Sequence, residues 1–201
     1  MKQSQLFTKT SKTAPADADS PNARLLTQAG FVRQLAAGIY TYLPLGLRVL
    51  DKIKDIVRDE MDNLGAQEVL MPTLHPKQLY DTTDRWDKID VMFKLEGAGG
   101  KEYALSSTAE EVITPLVKEF VTSYKDLPVA VYQIQDKFRN EPRAKSGLLR
   151  GREFSMKDLY SFHSSEEDFL AFYEKAKESY LNVYKRCGLD AMVVAAGGGV
   201  F

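Results

Sequence analysis

Between Leu45 and Leu64 the apolar residues Leu50, Ile53, Val57, Met61 and Leu64 recur at spacings of three and four. That period lays one stripe along a helix, and Gly65 is suited to end it in a left-handed conformation. A Ser20-Pro21 start predicts a short helix over Asn22 to Ala29. Ser106-Ser107-Thr108 precedes a helix of about 15 residues with Val112, Ile113, Leu116, Val117 and Phe120 on one side, and Pro115 should kink it. Ser164 or Ser165 caps a final helix, Glu166 to Arg186, ended by Gly188. Its aromatic run (Phe169, Phe172, Tyr173, Tyr180, Tyr184) reads as a stripe facing the core.

The longest strand signals are Val129 to Phe138 and Phe154 to Phe162, read as an antiparallel pair joined by a basic loop. Gln67 to Met71 reads as a strand stopped by Pro72, and Ala191 to Ala195 as another. Val91 to Leu95 and Glu102 to Leu105 read as a hairpin across Glu96-Gly97-Ala98-Gly99-Gly100-Lys101. That turn is no phosphate loop, because its spacing departs from GxxxxGK[ST]. The stretch GFVRQLAAGIYTYLPLG reads as irregular, and Asp81 to Asp90 as a charged loop or short helix with Trp86 as a packing anchor. Residues 1–20 look like a loosely held arm and 21–201 like one domain. Helices with antiparallel strands, lacking regular βαβ alternation, indicate an α+β fold.

Composition narrows the function classes. With 44% hydrophobic and 27% charged residues in 201, the chain has the balance of a globular protein with one sizeable core. A formal net charge of -1 excludes general wrapping of nucleic acid, so any RNA contact must come from a local patch; no DNA partner is expected. One cysteine, Cys187, excludes a disulfide framework and suggests a reducing, cytoplasmic compartment. Two histidines and one cysteine argue against a His/Cys zinc site, and no protein-held metal is expected. No stretch reaches the roughly 20 apolar residues of a membrane span.

The chemistry concentrates between Val129 and His163. Arg139 and Glu141, two apart in an extended segment, should share a face. A guanidinium can grip a phosphate, a carboxylate can accept from an exocyclic amine, and an aromatic ring can stack on a base. A surface ion pair is the plainer reading of Arg139 and Glu141. Arg143, Lys145, Arg150 and Arg152 count against it, because so basic a loop suits a mobile element touching an anionic ligand. Thr108 and Glu110 fit a capping box by spacing, and that reading outweighs the alternative in which they hold a substrate ammonium.

Taken together, the motifs resemble those of bacterial-type prolyl-tRNA synthetases, within the class II aminoacyl-tRNA synthetases. The resemblance spans nearly the whole chain and rests on Ala29 to Tyr40 (AGFVRQLAAGIY), Tyr42 to Gly46, Ser107 to Glu111, FRNEPR, GLLRGREF and MKDLYSFH. It implies an antiparallel sheet flanked by helices and a two-step ligase that first makes prolyl-adenylate from L-proline and ATP. The prolyl group then passes to the terminal ribose of tRNA(Pro). It implies catalytic roles for Arg139 and Glu141. ATP would be held by Arg139, Glu141, Arg150 and Phe154, and proline by Thr108, Glu110 and Arg139, with Met156 and Asp158 near the pocket wall. Mg²⁺ would accompany the phosphates, and the segment ending at Pro72 would form the homodimer contact. The family's third motif and anticodon-binding domain would lie downstream of Phe201, so the catalytic domain reads as truncated, with weak or no activity alone. A non-catalytic relative acting as a binding or regulatory protein, or a synthetase for threonine or serine, are the rival readings.

Overall fold

In the computed structural model, which describes residues 2–16, 18 and 20–196, five helices and eight strands form an α+β fold. The helices are α1 (Pro21–Gln28), α2 (Pro44–Asn63), α3 (Lys77–Thr82), α4 (Glu110–Phe120) and α5 (Glu166–Arg186). The strands are β1 (Val32–Ala36), β2 (Ile39–Tyr42), β3 (Gln67–Glu68), β4 (Leu74–Pro76), β5 (Lys94–Glu96), β6 (Glu102–Leu105), β7 (Val129–Phe138) and β8 (Glu153–Phe162). They build three small sheets, ordered β1-β2, β3-β7-β8 and β4-β6-β5.

The β7–β8 pair organises the molecule. Its antiparallel register runs without a bulge from Val129 opposite Phe162 to Phe138 opposite Glu153. Residues directly opposite in such a pair share a face. One face therefore carries Val131, Gln133, Gln135 and Lys137 beside Tyr160, Asp158, Met156 and Phe154. The other carries Tyr132, Ile134 and Leu159, which pack with Met61, Val57 and Ala66. Met61 and Val57 of the stripe predicted on α2 thus face the core, whereas Ile53 is 41% exposed. The Tyr132 hydroxyl, whose ring is fully buried, donates to Asp62 at 2.7 Å and so meets the cost of its burial. A second cluster joins α4 to the sheet through Ala109, Ile113, Val117, Val131 and Met71. A third surrounds Trp86 with Tyr80, Ile89, Met92 and Ala104, as expected of a packing anchor.

Several elements depart from the sequence reading. GFVRQLAAGIYTYLPLG contains the β1–β2 hairpin, closed over Ala37-Gly38 with an irregular register between Gln34 and Ala36. Gly38 has φ +75°, and a Cβ there would lie 2.6 Å from Ala144 Cβ and 2.8 Å from Arg152 N. The site demands glycine for conformation and for space. The strand expected over Gln67 to Met71 shortens to β3, which pairs in parallel with Val131 and Tyr132. Leu74–Pro76 forms an edge strand against β6, a position that tolerates proline because it is an edge. Helix α4 is 11 residues long and continues through Pro115. Residues 191–195 are not a strand, and among the described residues nothing pairs with them; the glycine-rich ending Gly197 to Phe201 lies outside the described residues. No helix is long and apolar enough to cross a membrane among the described residues.

The aromatic run of α5 is not a core stripe either. Only Ala176 and Ser179 of this helix are buried, whereas Phe169, Tyr173, Tyr180 and Tyr184 are between 37% and 50% exposed. Small residues let α5 lie close against α2, where the Ser179 hydroxyl donates to the Glu60 carbonyl and Arg186 pairs with Asp59 and Glu60. The tyrosines flank that contact. Ser165 caps the helix as expected, accepting from Asp168 N at 3.2 Å.

Where α5 crosses β8, the Lys157 ammonium donates to the Tyr180 hydroxyl and sits 4.2 Å from its ring centre. Burial pushes this lysine down to about 8, with Asp158 opposing the shift. Between that value and its ordinary 10.5 the unfolded chain binds more protons than the folded one, so stability rises with pH there. Burial raises Tyr180 above 10.0, which reverses the slope at higher pH because the unfolded tyrosine ionises first. The thermal midpoint is therefore expected to climb from pH 8 to about pH 9, below the range in which unfolded Tyr42, Tyr80, Tyr132, Tyr160 and Tyr180 ionise, and Lys157→Met to flatten that climb. Melting curves recorded across this range check it, and an equally steep climb in the variant would refute the coupling.

Candidate active site

Beyond Phe138 the chain leaves the sheet, and its loop returns at Arg152. The loop is docked rather than loose. Arg152 N donates to Gly38 O at 2.7 Å, and its guanidinium donates to Ala37 O at 3.1 Å and Glu141 O at 3.0 Å. On the other flank Leu148 N donates to Asn22 Oδ1 at 3.2 Å, and a Cβ on Gly147 would meet that same atom at 2.4 Å. The β1–β2 hairpin and the start of α1 thus brace the basic loop, in place of the mobility its composition suggests. The arm preceding α1 is tied back as well, Ser11 N donating to Gln28 O and Gln28 to Lys12 O.

Arg139 and Glu141 lie past the strand end, so strand alternation does not orient them, yet both line one cavity of about 270 Å³ together with Tyr42, Leu50, Leu148, Arg150 and Phe154. Arg139 donates to Ser107 O from Nε and Nη2, each at 3.4 Å, and its guanidinium carbon lies 5.4 Å from the Phe154 ring centre. Glu141 accepts from Arg150 at 3.0 and 2.7 Å. The cavity thus combines two guanidinium groups, one carboxylate and the aromatic rings of Phe154 and Tyr42, a set able to hold an anion beside a planar heteroaromatic group.

Thr108 and Glu110 sit on the far side of Ser107. The capping-box expectation fails here: Ala109 is the N-cap of α4 and no side chain caps the helix. Instead the Thr108 hydroxyl donates to Glu110 Oε2. The next carboxylate, Glu111, is buried and paired with Arg85 at 2.8 Å, while Arg85 stands 3.9 Å from Glu110. Glu110, with its side chain 46% exposed, keeps access to a ligand that Glu111 lacks.

Of the residues beneath these two groups, sequence reasoning named Met156 and Asp158 and missed Tyr160, Gln133, Gln135 and Lys137. Tyr160 rises between them: burial raises its pKa, the charges of Asp158 and Glu110 add to that, and contacts with the Ala109 backbone and the Thr108 side chain oppose it. Asp158 accepts from Lys137 at 2.8 Å and Gln133 at 2.9 Å, so its carboxylate belongs to the floor of the site. Met156 lies opposite Gln135 on the same face. A signal was present, since Gln133, Gln135 and Lys137 put polar groups at every second position of an otherwise apolar strand.

Among the described residues no cluster of three His, Cys, Asp or Glu side chains could hold a metal ion. Residues 93–197 match the family described as the tRNA synthetase class II core domain (G, H, P, S and T), and the chain belongs to that family. Its curated relatives include Proline--tRNA ligases of Nocardioides sp., 48% identical over 200 residues, and of Caldicellulosiruptor saccharolyticus, 50% identical over 200 residues. Both alignments cover 99% of this chain, and the chain spans about a third of each relative's length. Among solved structures, Giardia lamblia prolyl-tRNA synthetase in complex with prolyl-adenylate superposes with a TM-score of 0.74 at 24% identity. It covers 81% of this chain and 34% of that one. The Cryptosporidium parvum enzyme complexed with L-proline and AMP gives 0.73 at 16%, covering 82% of this chain and 33% of that one. At these identities the likeness establishes the fold.

Arg152→Gln removes the guanidinium bond to Ala37 O that ties the loop to the hairpin and the one to Glu141 O within the loop. Hydrogen exchange at residues 139–151 should then accelerate by about tenfold, as expected for losing charge-assisted bonds, while the centre of β7 stays protected. Equal protection of the loop in both proteins would show that the brace is elsewhere.

Proposed function

We propose that this chain carries the ATP- and proline-binding part of a proline–tRNA ligase. The observation that carries the reading is the position of Arg139. It lines the cavity shared with Glu141, Arg150 and Phe154, and it also reaches Ser107, one residue from Thr108 and three from Glu110. A single cation thus lies between a nucleotide-shaped set of groups and a carboxylate suited to an ammonium. Naming of the 48–50% identical relatives as proline–tRNA ligases supports the same substrate.

In this reading, the carboxylate oxygen of proline attacks the α-phosphorus of ATP and pyrophosphate leaves. The prolyl-adenylate carbonyl is then attacked by a terminal ribose hydroxyl of tRNA(Pro), releasing AMP. Such displacement at phosphorus asks mainly for positioning and charge stabilisation. Arg139 holds the α-phosphate and the proline carboxylate together, bringing two anions to reacting distance. Glu141, steadied by Arg150, accepts from the adenine amine while Phe154 stacks on the base. Glu110, steadied by Thr108, pairs with the prolyl ammonium; Met156 and Asp158 belong to the wall and floor. Mg²⁺ arrives with the ATP phosphates as part of the substrate. The complete protein works in the cytoplasm as a homodimer, with Leu47, Val49 and Ile53 of α2 and the nearby Leu70 as exposed apolar groups fit for the partner subunit.

Proline-dependent ATP–pyrophosphate exchange tests this, using the protein encoded by the reading frame that contains these residues. Arg139→Ala is expected to lower the exchange rate by about a hundredfold or more, the scale on which a preorganised charge acts in a transition state. Near-normal exchange would refute the role. Glu110→Gln should raise KM for proline well above its effect on KM for ATP; the reverse order would remove Glu110 from the ammonium site. Exchange driven better by threonine or serine than by proline would overturn the substrate, and none with any amino acid would favour a non-catalytic binding protein.

A further inference from the structure

Beneath the site lies a cation that the proposed chemistry does not use. Lys137 is wholly buried. Its ammonium donates to Ser106 Oγ at 3.0 Å and Gln135 Oε1 at 3.3 Å, and pairs with Asp158 Oδ2 at 2.8 Å. Three acceptors match the three N–H donors of a lysine, so the charge is satisfied without water. Gln133 completes the cluster by donating to Asp158, and Gln133 and Gln135 both bond to the backbone of Met71. This buried floor is therefore connected on every side, the condition under which a polar network holds one geometry.

The connection that matters leaves through Ser106. Its hydroxyl accepts from Lys137 and gives its single proton to Thr108 O at 3.3 Å, while Ser106 O accepts from Phe138 N at 2.9 Å. Thr108 in turn donates to Glu110. A path of hydrogen bonds thus runs from the buried ammonium to the carboxylate assigned to the substrate ammonium. The nucleotide half has separate supports at Glu141 and Arg150, which belong to a loop braced by Gly38 and Asn22, while Phe154 stands on β8.

We infer that Lys137 is a positioning residue for the amino-acid half of the site, setting the Ser106–Glu110 turn through Ser106 while holding Asp158 in the floor and away from the ligand. The inference rests on the proposed ligase reading. It requires a split: disturbing Lys137 or Ser106 changes recognition of the amino acid and leaves recognition of the nucleotide nearly intact. A residue that only stabilises the fold would move both together.

Exchange kinetics on Lys137→Met and Ser106→Ala separate these outcomes. For Lys137→Met, KM for proline should rise by about tenfold or more, because the variant strands Asp158 without its cation. For Ser106→Ala, which keeps the ion pair and removes one hydroxyl, the rise should be roughly threefold to tenfold. KM for ATP should stay within about threefold of wild type in both, as the scale of a lost peripheral contact. Equal rises in the two KM values, or no rise for proline in either variant, would overturn the positioning role. Should Lys137→Met fail to fold, Ser106→Ala decides alone by the same ratio. A wild-type protein without proline-dependent exchange would instead overturn the ligase reading, and this inference with it.

Discussion

Ten residue pairs hold β7 against β8, and the floor of the candidate site takes its direction from that register. A slip by one residue would turn Gln133, Gln135 and Lys137 toward α2 and present Tyr132 and Ile134 to the cavity. The two faces make such a slip costly in opposite ways. One packs Met61 and Tyr132 in an apolar cluster, and the other holds a lysine with no solvent access. A buried charge moved off its partners is strongly destabilising. The register is therefore pinned by apolar burial on one side and by charge satisfaction on the other. Arg139 follows just past the strand end, where its backbone N–H donates to Arg152 O at 2.9 Å.

The candidate site divides into halves that meet at this arginine. Its guanidinium reaches the Ser107 carbonyl on one side and the Phe154 ring on the other. Each half has its own carboxylate and its own cation: Glu141 with Arg150, and Glu110 with Arg85 in its neighbourhood. Pairing of this kind keeps each carboxylate oriented before a ligand arrives. Such preorganisation is what a reaction limited by positioning requires.

Much of this was legible in the sequence where one period dominates. The stripe on α2, the long strands and the capped helix α5 follow from spacing, because a single burial face decides each of them. The β1–β2 hairpin was not, since its strands are short and exposed residues interrupt their alternation; their pairing and the docking of Gly38 on Arg152 supply what local propensity lacks. The aromatic stripe of α5 misled for a related reason. Small Ala176 and Ser179 make the closest contact, and the larger rings are left at the margin. Thr108 and Glu110 satisfy a capping pattern in sequence, yet the helix starts one residue too late for Thr108 to cap it. The site residues Arg139, Glu141, Arg150 and Phe154, and Asp158 of the floor, were visible through motif resemblance, while the floor's Gln133, Gln135 and Lys137 were visible only as an alternation that no motif names.

The hairpin also accounts for why residues so far apart in sequence belong to one site. A loop from Arg139 to Arg152 that carries five cationic side chains and one carboxylate repels itself, and only the Glu141–Arg150 pair offsets this from within. Carbonyls of Ala37 and Gly38 meet Arg152, and the Asn22 side chain receives Leu148. Both contacts place partial negative charge against the loop at points away from the cavity. Of the loop's cationic side chains, Arg139 and Arg150 line the cavity. Gly38 has to be glycine for this to work, since a side chain there would push the loop off the hairpin at Ala144. The segment whose sequence looked least structured thus converts a self-repelling loop into a fixed wall of the site.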